Sequence, residues 1–348
     1  MAPNGKRCST DVAMERKFLV MANKQETNIV TNLLGALRLI AAAAAFTFLS
    51  LPVAAQKPPV VLVVGFPPGG TSDAVARILA QRLPAYLGTA VIVENKPGAL
   101  GSVAVNEVGA SRDKPAFILA PSAAPVFGTL EERLKIDIFK DLQPVAGVAK
   151  FAFGVAANGA LGVKTPQDLM AWMRSGKRAS FGVAGAGGIS DLLAGQVGKA
   201  AGQESTVVPY QGNGPMIKDL MAGHIPFGVM VAGEVTAFLA DEKVRLIGVL
   251  SPRRSDVFEN VPTFREYGIP IAIGEDWYAI WGSPAVPSDD IEKMRAAVES
   301  VLALREVKDA LTKRHAMSVD YQSGEVIGER LKSSFAAWKA IRPAQKPR

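Results

Sequence analysis

Residues 65–73 read Gly-Phe-Pro-Pro-Gly-Gly-Thr-Ser-Asp and stand between an apolar run, Val60–Val64, and a helical pattern. Val75, Ile78, Leu79 and Leu83 set that helical spacing. A strand that feeds a glycine-rich bend and then a helix is built to hold an anion. The first helical N–H groups have no internal acceptor and point at whatever occupies the bend. Thr71 or Ser72 is expected to cap the helix. Gly65, Gly70, Thr71 and Ser72 approach the pattern of a nucleotide-binding loop. However, the lysine is missing, and Pro67 and Pro68 remove N–H donors such a loop needs. An anion smaller than a nucleotide is the better fit.

Elsewhere, strands and helices alternate, which predicts an α/β fold with largely parallel sheets. Expected strands include 90–94, 116–120, 179–184, 206–210, 227–231, 245–250 and 278–282, with a long extended stretch from Gln143 to Ala157. Thr165-Pro166-Gln167-Asp168 has the order of an N-cap, a first-turn proline and a capping-box acid. Asp289 with Glu292 suggests a similar helix start, and two further helices are expected over 305–315 and 324–341. A second strand–glycine–helix unit lies at Gly185-Ala186-Gly187-Gly188-Ile189-Ser190. It resembles a dinucleotide fingerprint without the last glycine, and no acid ends the following strand to hold a ribose. No close internal repeat is expected.

At the N-terminus, Leu39 to Leu51 is an apolar run behind Arg38, followed by Pro52-Val53-Ala54-Ala55. A positive flank, a short apolar core and small residues read as a secretory signal, with cleavage expected after Ala55. The run is too short to span a bilayer, which needs about 20 residues. Met21 is an alternative start. Residues 1–55 hold six of the 39 Lys/Arg and three of the 32 Asp/Glu, so their removal lowers the net charge from +7 to +4. No basic block stands out, and nucleic acid is not an expected partner. Cys8, the sole cysteine, lies in the segment removed. A chain without cysteine makes no disulfide, thiolate metal site or cysteine nucleophile, and it suits export to a periplasm.

Catalytic signals are thin. His224 and His315 are the only histidines, one in a turn and one near a helix end. No serine elbow, metalloprotease helix or paired acid and base stands out. Trp172, Trp277, Trp281 and Trp338 suit packing, with Trp277 and Trp281 also candidates for a cleft wall. An exported hydrolase using Ser122 or Ser190 lacks a base. No catalytic residue, metal or cofactor is expected.

Four stretches together resemble one family. They are Phe66–Asp73 with Ala76-Arg77, Val93–Gly101, Val208–Gly212 followed by Asp219–Gly223, and Val261-Pro262-Thr263 with Glu266 and Gly268. In this order behind a signal they are similar to the Bug-type substrate-binding proteins of tripartite tricarboxylate transporters, over residues 57–341. The resemblance implies an α/β periplasmic-binding-protein fold of the Venus-flytrap, type II-like kind, with two lobes and two crossover strands. Lobe 1 would comprise 56–152 and 278–348, and lobe 2 would comprise 153–277. The crossings would fall near Ala149–Phe153 and Trp277–Gly282. The resemblance further implies a monomeric, non-enzymatic receptor that delivers a small carboxylate to membrane transporter subunits. The same fold feeding a sensor kinase is the alternative. The ligand loops would be Phe66, Pro67, Gly69, Gly70, Thr71 and Asp73; Ser122 and Ala123; and Gly185, Ala186, Gly187, Gly188 and Ser190, with Tyr210 nearby. Asp191 stands where the family commonly has a histidine, and Met230 where an acid is usual. An aspartate there repels an anion unless it turns away or meets a ligand amine. Gly70→Val and Gly187→Val are both expected to block binding and spare the fold.

Overall fold

The computed structural model describes residues 57–341. Strands β1 (Val60–Val64), β2 (Val91–Asn95) and β3 (Phe117–Pro121) alternate with helices α1 (Thr71–Ala80), α2 (Pro84–Leu87) and α3 (Ser102–Ala110). Helix α4 (Ala123–Leu130) leads to the long strand β4 (Gln143–Asn158). The middle of the chain holds α5 (Pro166–Arg174), β5 (Ser180–Val183), α6 (Ile189–Ala200), β6 (Thr206–Pro209), α7 (Asn213–Ala222) and β7 (Phe227–Val231). A 3-10 segment, Ala232–Asp241, precedes β8 (Val244–Val249). Strand β9 (Glu275–Gly282), helices α8 (Ser288–Ala303) and α9 (Arg305–Asp309), strand β10 (Ser318–Ser323) and helix α10 (Gly324–Ile341) complete the order.

The strands run β2-β1-β3-β9-β4-β7-β5-β6, with β10 and β8 also paired to β4. Strand β4 joins the two parts of this path. Its first half pairs with β9 and β10, and from Phe153 onward it pairs with β7 and β8. Such a strand is covered on both faces, which explains its nearly unbroken apolar run. Val145, Ala146, Val148, Ala149, Val155 and Ala156 are fully buried. The chain returns at Gly274, whose carbonyl accepts the Phe153 N–H at 2.8 Å. Trp277–Gly282 then pairs with β3 and β4, on the β1 side of the path. Trp277 and Trp281 are buried there, with ring centroids 6.1 Å apart. They are core residues and not a cleft wall.

The two parts of the path share one topology. Strand β1 lies between β2 and β3, all parallel, and β5 lies between β6 and β7, all parallel. In each, a glycine loop and a helix follow the central strand. The residue after the next strand donates back to that central strand, Lys96 N–H to Val64 O and Tyr210 N–H to Val183 O. This is a structural duplication, with no close repeat in the sequence behind it.

Local starts confirm one capping expectation and correct two. Thr165 and Asp168 form the full capping box with Pro166 in the first turn. Helix α8 begins instead at Ser288 behind an N-cap Pro287, with no side-chain cap. Helix α1 has Gly70 as its N-cap, which carries no side chain to cap it, and begins at Thr71.

Candidate ligand-binding site

Gly69-Gly70-Thr71-Ser72-Asp73 and Gly187-Gly188-Ile189-Ser190-Asp191 are built alike. Gly69 and Gly187 have φ +83° and +69°, a region in which only glycine is unstrained. Gly70 and Gly188 are extended N-caps. The first helical bonds are Ala74 N–H to Gly70 O and Leu192 N–H to Gly188 O. The N–H groups of Thr71, Ser72 and Asp73, and of Ile189, Ser190 and Asp191, therefore lie ahead of any helical acceptor.

In both loops the aspartate turns back on its own bend. Asp73 Oδ2 accepts the Gly69 N–H at 2.9 Å, and Asp191 Oδ2 accepts the Gly187 N–H at 2.8 Å. Asp191 thus braces the second loop rather than presenting charge across it. Asp73 is tied further, accepting from Arg77 Nε and from Asn95 Nδ2, each at 2.9 Å. Burial pushes the Asp73 carboxyl up, but the bonds from Arg77, Gly69 and Asn95 outweigh it and hold its pKa below the ordinary value. Asn95 also donates to Phe66 O at 3.0 Å, pinning the bend. Asp73 is therefore a brace, while Phe66 is half-buried and Pro67, Pro68 and Gly69 are exposed.

The second loop is touched from the β1 side of the chain. A Cβ on Gly185 would lie 2.7 Å from Leu100 Cδ2, and one on Gly188 would lie 2.8 Å from Leu100 Cδ1. Leu100 reaches there with φ +57°, a strained conformation for a leucine. Arg133 Nη2 donates to Ala186 O at 3.3 Å. Leu100 belongs to the Val93–Gly101 stretch and Arg133 to no motif, and only the fold brings them to this loop.

Ser122 and Ala123 are engaged from within. Asp276, at the start of β9, accepts from the Ser122 hydroxyl, from the Ala123 N–H at 3.2 Å and from the Trp277 N–H at 2.8 Å. An internal carboxyl thus occupies the start of α4. Burial raises Asp276 to about 6, opposed by those three bonds and by Arg330, whose guanidinium lies over the Trp277 ring at 4.8 Å. The Tyr210 hydroxyl donates to Asp219 Oδ2 at 2.8 Å. Burial and that acid push it up to about 12. Met230 is fully buried in β7. His224 is exposed beside Asp219.

Sequence reasoning missed Glu234 at the first loop. Its carboxyl, in the 3-10 segment after β7, accepts from the Thr71 hydroxyl. Next to it, the Ser72 hydroxyl and the Tyr278 hydroxyl bond at 2.9 Å. Among the described residues no group of acids, histidines and cysteines could hold a metal ion, and no helix is long and apolar enough to cross a membrane.

Residues 75–341 match the family model described as the tripartite tricarboxylate transporter family receptor. The chain belongs to this receptor family. It is 32% identical over 246 residues to a protein encoded in the TAR-I ttuE–ttuC′ intergenic region of Agrobacterium vitis, covering 70% of this chain and 71% of that one. It is 27% identical to protein BugT of Bordetella pertussis over 265 residues, covering 75% and 81%. A solved periplasmic transporter superposes with a TM-score of 0.75 at 26% identity, covering 83% of this receptor and 97% of that chain. MatC from Rhodopseudomonas palustris, solved with malate, gives 0.73 at 23% identity, covering 84% and 99%. The receptor has the α/β periplasmic-binding-protein fold, and its family binds solutes rather than transforming them.

Proposed function

We propose that this receptor captures a small carboxylate between the loops at 66–73 and 185–190 and delivers it, as a monomer, to the membrane subunits of its transporter. The duplicated five-residue cradle is the observation that carries this reading. Each copy presents first-turn N–H groups with no helical acceptor, and each is braced by its own aspartate. Phe66, Pro67, Gly70, Thr71, Gly185, Ala186, Gly188 and Ser190 would line the gap. Ser122, Ala123, Asp73 and Tyr210 would support it indirectly, since their polar groups are already paired. Two relatives of the same fold were solved with dicarboxylates, MatC with malate and an R. palustris protein with adipate.

Energetics favour a grip by both loops. One helix N-terminus contributes about 0.3–1 kcal/mol, rising to about 2 when partly buried. Micromolar affinity needs about 8 kcal/mol. Three or four charge-assisted hydrogen bonds at about 1.5–3 kcal/mol each can supply it, and they form together only if the gap closes. Closure would pivot where β4 changes partners, with 56–152 and 278–348 as lobe 1 and 153–277 as lobe 2. Occupancy would then be reported as a shift toward the closed population. Export with cleavage after Ala55 belongs to the same reading, and that site lies outside the described residues.

A thermal-shift screen over small carboxylates, with mass spectrometry of co-purified solute, is expected to give stabilisation by at least one of them and its recovery unchanged. Turnover of the solute, or no response to any carboxylate, would overturn the proposal. Asp191→Ala, which frees the Gly187 N–H from its brace, is expected to weaken binding about tenfold, the worth of one hydrogen bond of about 1.4 kcal/mol. Asp191→Asn retains an acceptor and should stay within about threefold in calorimetry.

A further inference from the structure

Four consecutive residues after β2 have positive φ: Gly98 at +150°, Ala99 at +46°, Leu100 at +57° and Gly101 at +92°. Only glycine adopts such angles without strain, so a leucine at 100 needs a reason. Core packing does not supply one. Leu100 is half-buried and joins neither apolar cluster of the described residues. The turn itself is wedged against the first loop. A Cβ on Gly65 would lie 2.8 Å from Gly101 Cα, and one on Gly101 would lie 3.2 Å from the Phe66 ring. From that footing Leu100 reaches the second loop, at Gly185 and Gly188. Arg133 donates to Ala186 O, between those two glycines, and ties the loop to the same side.

The two cradles therefore differ at one point. The Cβ of an N-cap residue stands ahead of the first-turn N–H groups, which is how a capping side chain reaches them. Over the first cradle that place is open, since a Cβ on Gly70 would meet only Pro67 O, at 3.5 Å. Over the second it is taken, because Leu100 Cδ1 lies 2.8 Å from where a Gly188 Cβ would be. A methyl offers an anion no hydrogen bond, but it excludes volume. We infer that Leu100 is a specificity-determining residue, an apolar wall over the second cradle that admits narrow carboxylates and rejects branched ones. A solute with bulk at that end must push the leucine aside. The inference rests on the carboxylate-capture reading and deepens it by naming what limits the width of the solute.

Calorimetric titration of the full chain with linear and branched probes tests it. The pairs are butyrate with isovalerate, and succinate and glutarate each with the diacid that carries two methyls on one chain carbon. At least one linear member is expected to bind tenfold or more tighter than its branched partner. Leu100→Ala and Leu100→Gly are each expected to reduce that ratio at least tenfold, chiefly because the branched member gains. Alanine keeps the positive-φ strain and glycine relieves it, so the glycine variant should melt higher while the two ratios agree. A ratio that followed melting temperature instead would make Leu100 a packing residue and overturn the inference. Equal binding of linear and branched members by the wild type overturns it while carboxylate capture stands. So does a ratio unmoved in the folded variants, or an equal loss of both members. If no probe binds, the wall assignment falls. If the wider carboxylate screen is also silent, the capture reading falls with it.

Discussion

Gly70→Val is expected to lower carboxylate affinity more than about 100-fold, a loss above about 2.7 kcal/mol, while the protein still folds. Gly70 has φ −80° and ψ 173°, extended backbone open to any residue. A Cβ there would meet only Pro67 O, at an ordinary 3.5 Å. The strain is small, and a valine N-cap costs the helix about 1 kcal/mol. The branched side chain would instead fill the approach to the first-turn N–H groups, several of which must reach the ligand at once. Thermal melts should move by no more than about 4 °C, and calorimetry should show no binding. The matching change in the second cradle is Gly188→Val rather than Gly187→Val. Gly187 has φ +69°, and a Cβ there would lie 2.8 Å from Arg133 Nη2, so valine would strain the loop itself. At Gly188 the obstacle is a Leu100 methyl, the end of a side chain that can swing. Near-native affinity in a folded Gly70→Val protein would remove the first cradle from the site.

Asp276→Ala is expected to cost stability rather than affinity alone. It removes the acceptor for two buried backbone donors, Ala123 N–H and Trp277 N–H, and for the Ser122 hydroxyl. Each orphaned buried donor costs about 1–3 kcal/mol. The net loss should be at least about 2 kcal/mol, or roughly 4–8 °C in Tm. The pH dependence has a definite sign. Burial raises the folded-state Asp276 pKa from 3.8 to about 6. The stability this contributes is fully present below about pH 3.8 and is lost as pH rises through about 6. The gap between wild type and Asp276→Ala should therefore narrow between pH 4 and pH 7 in denaturant titrations. A widening gap would mean that the ionised carboxylate is the favoured form.

Both residues show what the sequence could and could not reveal. The glycine loops were legible because an apolar strand, paired glycines and a helical period mark a phosphate-sized bend without tertiary information. The Thr165 capping box was legible for the same local reason. Strand β10, Ser-Val-Asp-Tyr-Gln-Ser, was not, because it is polar and gains its place by pairing with β4. The duplication was hidden because only Gly-Gly-x-Ser-Asp is common to both copies, and Phe66-Pro67-Pro68 shares nothing with Ala184-Gly185-Ala186. Glu234 could not be placed at all, since its partner Thr71 lies 163 residues away. For Asp191 the sequence left repulsion and a turn away both open. Its type is visible in the sequence, but its turn back onto Gly187 is a matter of geometry.

If one solute spans both cradles, as proposed, the grip would be bivalent. A solute seated in one would meet the other at an effective concentration fixed by the strand they share, β4, and not by its abundance outside. Weak individual contacts would then multiply, and reach would become a filter. Molecules too short to touch both ends would keep only the single-site affinity, and those too long would prop the two loops apart. The five-residue repeat would then act as a caliper, judging solutes by span before any side chain judges their chemistry.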